Sequence, residues 1–340
     1  MEPLSQICEL AGSAVNFLVK RKVRYEPLAA KTILNRVNVP AMPFEWSINP
    51  YRGCQHGCSF CYARGTHSFL GAETDDTFQN RIFLKDSAPA VLRRQLESLV
   101  RAKRGRGLSI WPRIGRVAIG TATDPYQPVE AQAKLTRGCL EVLADYRIPV
   151  SITTRSPLIL RDLDLLRKLH LTSINISIGT LDPLVWKQFE PTTPSPAKRF
   201  EAVRTLAEEG LPAGVFLAPI IPLVSDGEEA LHELIRMAAS SRASFVMASF
   251  LRLSISDVKV WFFQTLERYY PHLVSRYTEL YRGSAYAAEA YREPLKRTIR
   301  ELLDRYGLSS SDTGSPRVLG KLGDPAPAEA APPIQLAFSF

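Results

Sequence analysis

The chain has 340 residues, of which 45% are hydrophobic and 23% are charged, and this composition suits a globular domain that buries a full core. No apolar run reaches the ~18 residues of a membrane span, and the start of the chain lacks a basic leader, so neither a membrane protein nor a secreted one is predicted. The net charge of +9 favours a polyanionic partner such as DNA, with a solvated basic surface as the alternative.

The predicted elements begin with an extension at residues 1–43, which has no clear hydrophobic period. From residue 44 to 254, short apolar strands alternate with amphipathic helices, a pattern that predicts parallel βαβ units. The predicted strands are 44–50, 116–120, 149–154, 173–178, 214–221 and 245–251. The predicted helices between them are 87–104, 129–146, 156–169, 195–209 and 226–239. Six such units are too few to close an eight-stranded barrel.

Residues 255–306 have helical spacing and many aromatic residues, which are predicted to pack a helical extension onto the preceding domain. Residues 307–340 are rich in Ser, Gly, Ala and Pro and are predicted to be a disordered tail. The tail ends in Gln335–Phe340, a polar residue followed by spaced apolar ones. This hexapeptide resembles the peptide by which bacterial replication and repair proteins bind the sliding clamp, with a terminus that folds back on the domain as the alternative.

Three of the five cysteines lie close together, in a loop that follows the first predicted strand. Cys54, Cys58 and Cys61 have the spacing Cys-x3-Cys-x2-Cys. Three thiolates on a short loop can each hold one iron of a [4Fe–4S] cluster, whose usual ligand count is four. The missing fourth protein ligand leaves one iron open, and an open metal position is where substrate chemistry takes place.

A zinc knuckle is the alternative for this loop, and it would need a fourth ligand from His56, His67 or elsewhere. The remaining cysteines, Cys8 and Cys139, are isolated and do not make a disulfide framework. An oxygen-sensitive cluster suits a reducing compartment, so a cytoplasmic protein is predicted.

Polar side chains follow several predicted strands at the point where each strand ends. Thr123 follows the second strand, Arg155 follows the third, and Ser177 ends the fourth. Because the carboxyl ends of parallel strands meet at one edge, these residues are candidates for binding a cofactor. Arg155 offers a fork for a carboxylate, Thr123 could accept from an ammonium group, and Ser177 could bond a ribose or carboxylate. Taken alone, each of these residues is also common in loops that bind no cofactor.

The cysteine loop resembles the signature of the radical S-adenosylmethionine (SAM) enzymes. The resemblance implies a partial, TIM-like (β/α)6 barrel with the cysteine loop after its first strand. It implies a [4Fe–4S] cluster and SAM as cofactors, with Phe60 near the adenine, and an electron donor such as flavodoxin or ferredoxin. The implied reaction cleaves SAM reductively to a 5′-deoxyadenosyl radical, which abstracts hydrogen from a substrate.

A narrower resemblance, from Asn49 to about Leu251, is to the spore-photoproduct-lyase-like branch, also called DNA repair photolyase-like. It rests on the segments Asn49–Cys54, Thr123–Pro125, Thr154–Arg155, Ser177–Thr180 and Phe189–Pro191. The resemblance implies lyase-type chemistry on DNA or a nucleotide. One position departs from it, because the lyases carry a hydrogen-returning cysteine where this chain has Thr121.

The sequence therefore predicts a radical SAM enzyme whose substrate is unknown, with DNA or a nucleotide as the favoured class. A non-enzymatic iron–sulfur or zinc protein that binds nucleic acid is the alternative, and a radical enzyme that acts on a metabolite or a protein is a third hypothesis. No catalytic residue is assigned.

Overall fold

The structure of the protein, a computed structural model, describes residues 22–39, 42–70, 76–104 and 114–310. The predicted clamp-binding peptide Gln335–Phe340 and most of the predicted tail lie outside these residues, as do parts of the basic segments. Within the described ranges, no helix has the length and apolar character that crossing a bilayer requires.

A seven-stranded sheet forms the centre of the molecule, and six of its strands run parallel. The strands within the described residues are β1 (Arg24–Pro27), β2 (Leu34–Arg36), β3 (Trp46–Ile48), β4 (Tyr51–Arg52), β5 (Arg81–Leu84), β6 (Val117–Ile119), β7 (Pro149–Thr154), β8 (His170–Ser177), β9 (Ala213–Ile220) and β10 (Val246–Phe250). Across the central sheet the order is β10-β9-β8-β7-β6-β3-β2, with β2 antiparallel to β3. The predicted partial (β/α)6 barrel is therefore confirmed, with one additional edge strand from the extension.

Helices connect the parallel strands and continue after the last one. They are α1 (Thr77–Asn80), α2 (Ala88–Arg104), α3 (Glu130–Ala133), α4 (Leu135–Asp145), α5 (Leu163–Leu166), α6 (Pro183–Phe189), α7 (Pro196–Glu208), α8 (Glu228–Ser240), α9 (Ser256–Tyr269), α10 (Val274–Leu280) and α11 (Glu289–Tyr306). The single helix predicted at 129–146 is interrupted at Lys134, whose φ is +52°. The helix predicted at 156–169 is mostly a 3₁₀ segment, Pro157–Asp162, followed by α5.

The core lies between the central sheet and the helices that cover it. Ile119, Ile152, Ile176 and Leu217 occupy successive parallel strands, and each is at most 1% exposed. β-Branched and aliphatic residues of this kind are typical of parallel strands, because both faces of such a sheet are buried. The carboxyl ends of these strands meet at one edge, where the cysteine loop begins.

A second, smaller sheet was not predicted. It has the order β1-β5-β4, and β4 is part of the cysteine loop. Strand β5 lies between the cysteine loop and the first predicted helix, where no element was predicted. The extension thus contributes β1 to this sheet and β2 to the central sheet.

The C-terminal helices pack onto the barrel through aromatic side chains, as predicted. The ring of Phe262 lies 5.7 Å from that of Phe189 and 5.6 Å from that of Tyr277. The predicted tail begins at Gly307, but its described part, residues 307–310, still contacts the barrel. The carbonyl of Ser309 accepts a hydrogen bond of 2.9 Å from the backbone N–H of Val246.

Candidate cofactor site

The cysteine loop leaves the carboxyl end of β3 and folds tightly. Gly53 and Gly57 have φ values of 78° and 62°, which other residues rarely adopt. Cys54 and Cys58 are buried, at 7% and 5% exposure, and Cys61 is half-buried. All three thiols line one cavity, so the structure brings together the ligands that the sequence predicts.

The next two strand ends supply most of the remaining wall of this cavity. Residues 120–124 follow β6 and residues 153–155 end β7, and Tyr62 closes the wall beside Cys61. The predicted cofactor residues Thr123 and Arg155 therefore share the cavity with the three cysteines.

Asn49 connects the cysteine loop to the end of β6. Its Nδ2 donates a hydrogen bond of 2.9 Å to the hydroxyl of Thr121, and its Oδ1 accepts one of 2.8 Å from the backbone N–H of Ala122. The hydroxyl of Tyr62 donates to the carbonyl of Thr121. Thr121 thus serves to hold the first two strand ends together.

Thr123 is a second connection between the two loops. Its hydroxyl donates a hydrogen bond of 2.6 Å to the carbonyl of Gly53 and accepts one of 3.0 Å from Nε2 of Gln127. Oε1 of Gln127 in turn accepts from the backbone N–H of Gln55 at 3.0 Å. Part of the hydrogen-bonding capacity of Thr123 is therefore used to shape the cysteine loop.

Asp124 links the loop after β6 to the end of β7. Its Oδ1 accepts from the hydroxyl of Thr154 at 2.6 Å and from the backbone N–H of Tyr126 at 2.9 Å, and its Oδ2 accepts from the backbone N–H of Arg155 at 2.7 Å. Nε2 of His56 lies 3.2 Å from Oδ2. Although burial alone would raise it, these neighbours lower the pKa of Asp124 to about 2.

Arg155 presents its guanidinium to the cavity. The guanidinium lies 5.6 Å from the ring centroid of Phe60, and Nη2 donates a hydrogen bond of 3.2 Å to the carbonyl of Ala218. Nε lies 3.5 Å from Oε1 of Glu190 and makes no hydrogen bond. Burial alone would lower the pKa of Arg155, but the neighbouring Cys58 and Glu190 raise it. The side chain therefore stays cationic, with donor capacity left for a ligand.

Ser177 lies behind Arg155 and is 1% exposed. Its hydroxyl donates to the carbonyl of Ala218 at 3.1 Å, the same oxygen that accepts from Arg155. Its own carbonyl accepts from the buried Arg199, which also pairs with Glu190. The predicted residues Phe60 and Ser177 thus both border Arg155.

Sequence reasoning missed Arg64, which is fully buried and holds the cysteine loop from behind. Its Nε donates to the carbonyl of Cys58 at 3.1 Å, and its Nη2 donates to that of Gly57 at 2.9 Å. The guanidinium lies 4.4 Å from the ring centroid of Trp261 and 5.3 Å from that of Phe78. Its only signal in the sequence is its position three residues after Cys61.

Glu130 is a second residue whose role was not predicted from the sequence, and it has no exposed surface. Its carboxylate accepts from the hydroxyl of Tyr51, from the backbone N–H of Thr136 at 2.9 Å and from Arg161 at 2.8 Å. Because Tyr51 belongs to β4, this buried network fixes the start of the cysteine loop to α4.

The raised pKa values of the buried thiols favour a bound cationic group in the cavity. Burial raises the pKa of the Cys58 thiol to about 12, although the guanidinium of Arg155 opposes the shift. Burial and the nearby carboxylate of Asp124 raise the pKa of Cys54 as well. Because metals bind the thiolate, these buried thiols need positive charge in the cavity to ionise, and iron would supply it.

Among the residues that the structure describes, no three His, Cys, Asp or Glu side chains converge on the position of a single metal ion. A [4Fe–4S] cluster requires a different arrangement, because each thiolate binds a different iron atom of the cluster.

Another cavity, of about 560 Å³, lies between α8 and α11. Its wall includes Glu228, Glu229, Glu301 and Arg305, whose side chains are solvent-exposed. It contains none of the predicted site residues, and the cysteine cavity is therefore the candidate site.

Comparison with known proteins agrees with this site. A family model described as the radical SAM superfamily matches residues 48–235, more than half of the chain. An uncharacterized protein of Mycobacterium tuberculosis is 34% identical over 298 residues, which cover 86% of this chain and 84% of that protein. An uncharacterized protein of Methanocaldococcus jannaschii is 30% identical over 250 residues, which cover 74% and 85%.

Among solved structures, spore photoproduct lyase complexed with dinucleoside spore photoproduct is similar in fold. The TM-score is 0.60 and the sequence identity 20%, over 83% of this chain and 79% of that one. The fold predicted from the branch resemblance is thereby confirmed. Taken with the matched family model and the close relatives, the three thiols at the end of the first parallel strand identify the chain as a member of the radical SAM superfamily.

Proposed function

We propose that this protein binds a [4Fe–4S] cluster through Cys54, Cys58 and Cys61, binds SAM beside it, and abstracts hydrogen from DNA or a nucleotide. The observation that carries the proposal is that three thiols, two of them buried, and the cationic Arg155 line one cavity at the carboxyl edge of a parallel sheet. Reductive cleavage of SAM to a 5′-deoxyadenosyl radical is the chemistry that these cofactors supply when bound.

The residues around the thiols hold the loop in one shape. Arg64 binds two of its carbonyl groups, Thr123 binds a third, and Asn49 fixes its start. Burial of Cys54 and Cys58 limits the access of solvent to these two thiols. Such a preorganised, largely dry site favours binding of a cluster that solvent and oxygen would otherwise degrade.

We assign Arg155 to the methionyl carboxylate of SAM, because its guanidinium faces the cavity and Nε lacks a hydrogen bond. Thr123, with one lone pair still available, and the neighbouring carbonyl groups would accept from the methionyl ammonium. Phe60 would lie near the adenine. Ser177 would reach the ribose or carboxylate only by exchanging its hydrogen bond to Ala218.

DNA or a nucleotide is the favoured substrate class for two reasons. The chain has a net charge of +9, and its fold is shared with a lyase whose structure contains a dinucleoside. The return of a hydrogen atom to the product radical must differ from that implied by the lyase resemblance, because the O–H bond of Thr121 is too strong to donate a hydrogen atom easily to a carbon radical. Cys139 is not in a position to replace it, because it packs in the apolar core and does not line the cysteine cavity.

The test is anaerobic reconstitution of the full chain with iron and sulfide, followed by EPR spectroscopy and assay of 5′-deoxyadenosine with dithionite as reductant. The proposal expects a reduced-cluster signal that changes when SAM is added, and 5′-deoxyadenosine as a product. A protein that binds iron but neither responds to SAM nor cleaves it would support the non-enzymatic alternative instead.

Deuterium transfer identifies the substrate. Turnover with deuterated oligonucleotides should place deuterium in 5′-deoxyadenosine. If only metabolite or protein substrates transfer label, the substrate class proposed here is wrong, while the radical chemistry stands.

A further inference from the structure

One side chain of the cysteine loop faces away from the cofactor cavity. Gln55 follows Cys54, and its Nε2 donates a hydrogen bond of 3.1 Å to the hydroxyl of Tyr25 on β1. Its Oε1 accepts one of 3.0 Å from the backbone N–H of Val129. Gln55 is half-buried, whereas Cys54 beside it lines the cavity. The loop therefore has an inner side toward the cofactors and an outer side toward β1.

The outer side reaches solvent at β1, which is the edge strand of the small sheet. Tyr25 is 49% exposed, so much of its ring is accessible to a partner. Lys22 and Arg24 beside it are exposed as well. Arg24 and Tyr25 point to opposite faces of the strand, so a partner seated on its edge would contact both.

The surface around this edge is basic. Lys22 and the strands β1 and β5 carry three cationic side chains, which are Lys22, Arg24 and Arg81. They carry one carboxylate, Glu26, which Arg81 binds through two hydrogen bonds of 2.7 and 2.9 Å. The remaining positive charge favours a partner with an acidic face.

We propose that the β1 face, made of Lys22, Arg24, Tyr25, Gln55 and Arg81, docks an acidic one-electron carrier protein of the flavodoxin or ferredoxin type. The inference rests on the proposed function, which needs an external electron for each cleavage of SAM. The carrier loses one electron and the cluster gains one, and no bond forms or breaks in this step.

The position of the β1 face favours an electron carrier over nucleic acid as its partner. From exposed Tyr25 to a cluster ligand, the path crosses one residue, Gln55. A carrier seated there approaches the cluster and leaves the inner side of the loop open to SAM and substrate. A nucleic-acid substrate has to reach the inner side, where Arg155 and Tyr62 line the cavity.

Binding is tested with a purified flavodoxin and the full-length protein by isothermal titration calorimetry at low and physiological salt. The variant Lys22→Glu/Arg24→Glu should weaken binding at least about tenfold and reduce its salt dependence. The matched control, Lys198→Glu/Arg204→Glu, makes the same change of charge at exposed positions of α7 and should bind as the wild type does. Equal affinities for the two variants would overturn the proposal.

Turnover assays with two different reductants separate docking of the carrier from cleavage of SAM. With reduced flavodoxin as the donor, the β1-face variant should form 5′-deoxyadenosine at least about tenfold more slowly than the control variant. With dithionite, which needs no docking face, both variants should match the wild type. Loss of turnover with both reductants in the wild type would count against the proposed function, whereas the calorimetry would still decide the docking face.

Nucleic acid is the competing occupant, and fluorescence anisotropy with a labelled DNA duplex measures it. If Lys22→Glu/Arg24→Glu weakens duplex binding and leaves flavodoxin binding unchanged, the β1 face belongs to nucleic acid and the proposal is wrong. Unchanged duplex binding with weakened flavodoxin binding is the result we expect.

Discussion

The backbone N–H of Arg155 donates a hydrogen bond of 2.7 Å to Oδ2 of Asp124. The same oxygen lies 3.2 Å from Nε2 of His56, which stands between Cys54 and Cys58. One buried carboxylate thus sets the position of the cysteine loop relative to the arginine that we assign to SAM.

Asp124→Asn tests this relationship. Asparagine has one acceptor oxygen where aspartate has two, so an amide N–H₂ group would face donors that Asp124 now binds. We expect the free energy of unfolding to fall by about 2 kcal/mol and the reconstituted iron content to fall with it, measured by urea denaturation and iron assay. The control is Asp145→Asn, an exposed carboxylate that pairs with Arg93, which should change stability by less than about 0.5 kcal/mol. Equal effects in both variants would contradict the role of Asp124.

Cys58→Ala should abolish both the cluster signal and the formation of 5′-deoxyadenosine, because the remaining two thiols cannot hold three irons. Cys139→Ala is the matched control, since Cys139 is also buried but lies on α4. It should lose about 1 kcal/mol of stability and keep its iron. Iron content by assay and EPR amplitude check both outcomes, and a Cys58→Ala protein that retained the SAM-responsive signal would refute the ligand assignment.

Arg155→Met should weaken SAM binding about tenfold to hundredfold, the loss expected for charge-assisted hydrogen bonds of about 1.5–3 kcal/mol. Arg155→Lys keeps the charge without the planar fork and should lie between Met and the wild type. Calorimetric titration of the reconstituted protein with SAM measures both. Arg236→Met, at an exposed position of α8, is the control. A SAM affinity that stayed at the wild-type level in Arg155→Met would remove Arg155 from the site.

Lys85 should make the stability of the folded protein depend on pH, and this dependence can be measured on protein without the cluster. Its ammonium is buried and donates to the carbonyl of Asn49 at 2.7 Å. Burial and the nearby Arg52 lower its pKa from 10.5 to about 8. Between these two pH values the unfolded chain binds more protons than the folded one, so stability should rise with pH across this window.

The measurement is the free energy of unfolding by urea between pH 7 and pH 10.5, for the wild type and for Lys85→Met. The wild type should gain up to about 3 kcal/mol relative to the variant as the pH rises. Parallel curves for the two proteins would show that Lys85 does not carry the predicted charge penalty.

Much of the regular part of the fold follows from hydrophobic spacing together with helix-capping residues. Strand β7 matches its prediction at both ends, and Pro196–Glu208 lies one residue inside its predicted bounds at each end, because Ser195 caps that helix and Pro196 suits its first position. The break at Lys134 was missed, because the apolar spacing that predicted the helix begins only at Leu135 and carries no information on the left-handed residue before it. Strand β5 was missed as well, since its pairing partners are β1 and β4 rather than neighbours in a βαβ unit.

The site was predictable where chemistry depends on residue type and spacing, as for the three cysteines. It was not predictable where a side chain's partner comes from a distant segment. Thr123 was assigned to the cofactor, yet its hydroxyl donates to Gly53, 70 residues earlier. Arg64 carries no recognisable motif, and only the packing of Trp261 and Phe78 on its guanidinium reveals its role.

The small sheet has a consequence for how the protein can be divided. A fragment cut at residue 44, the domain start inferred from sequence, would lose β1 and leave β5 as an unprotected edge beside the cysteine loop. It would also remove the phenol that steadies Gln55. Such a minimal barrel should therefore be prone to aggregate and poor in iron, although it would retain every cysteine of the motif.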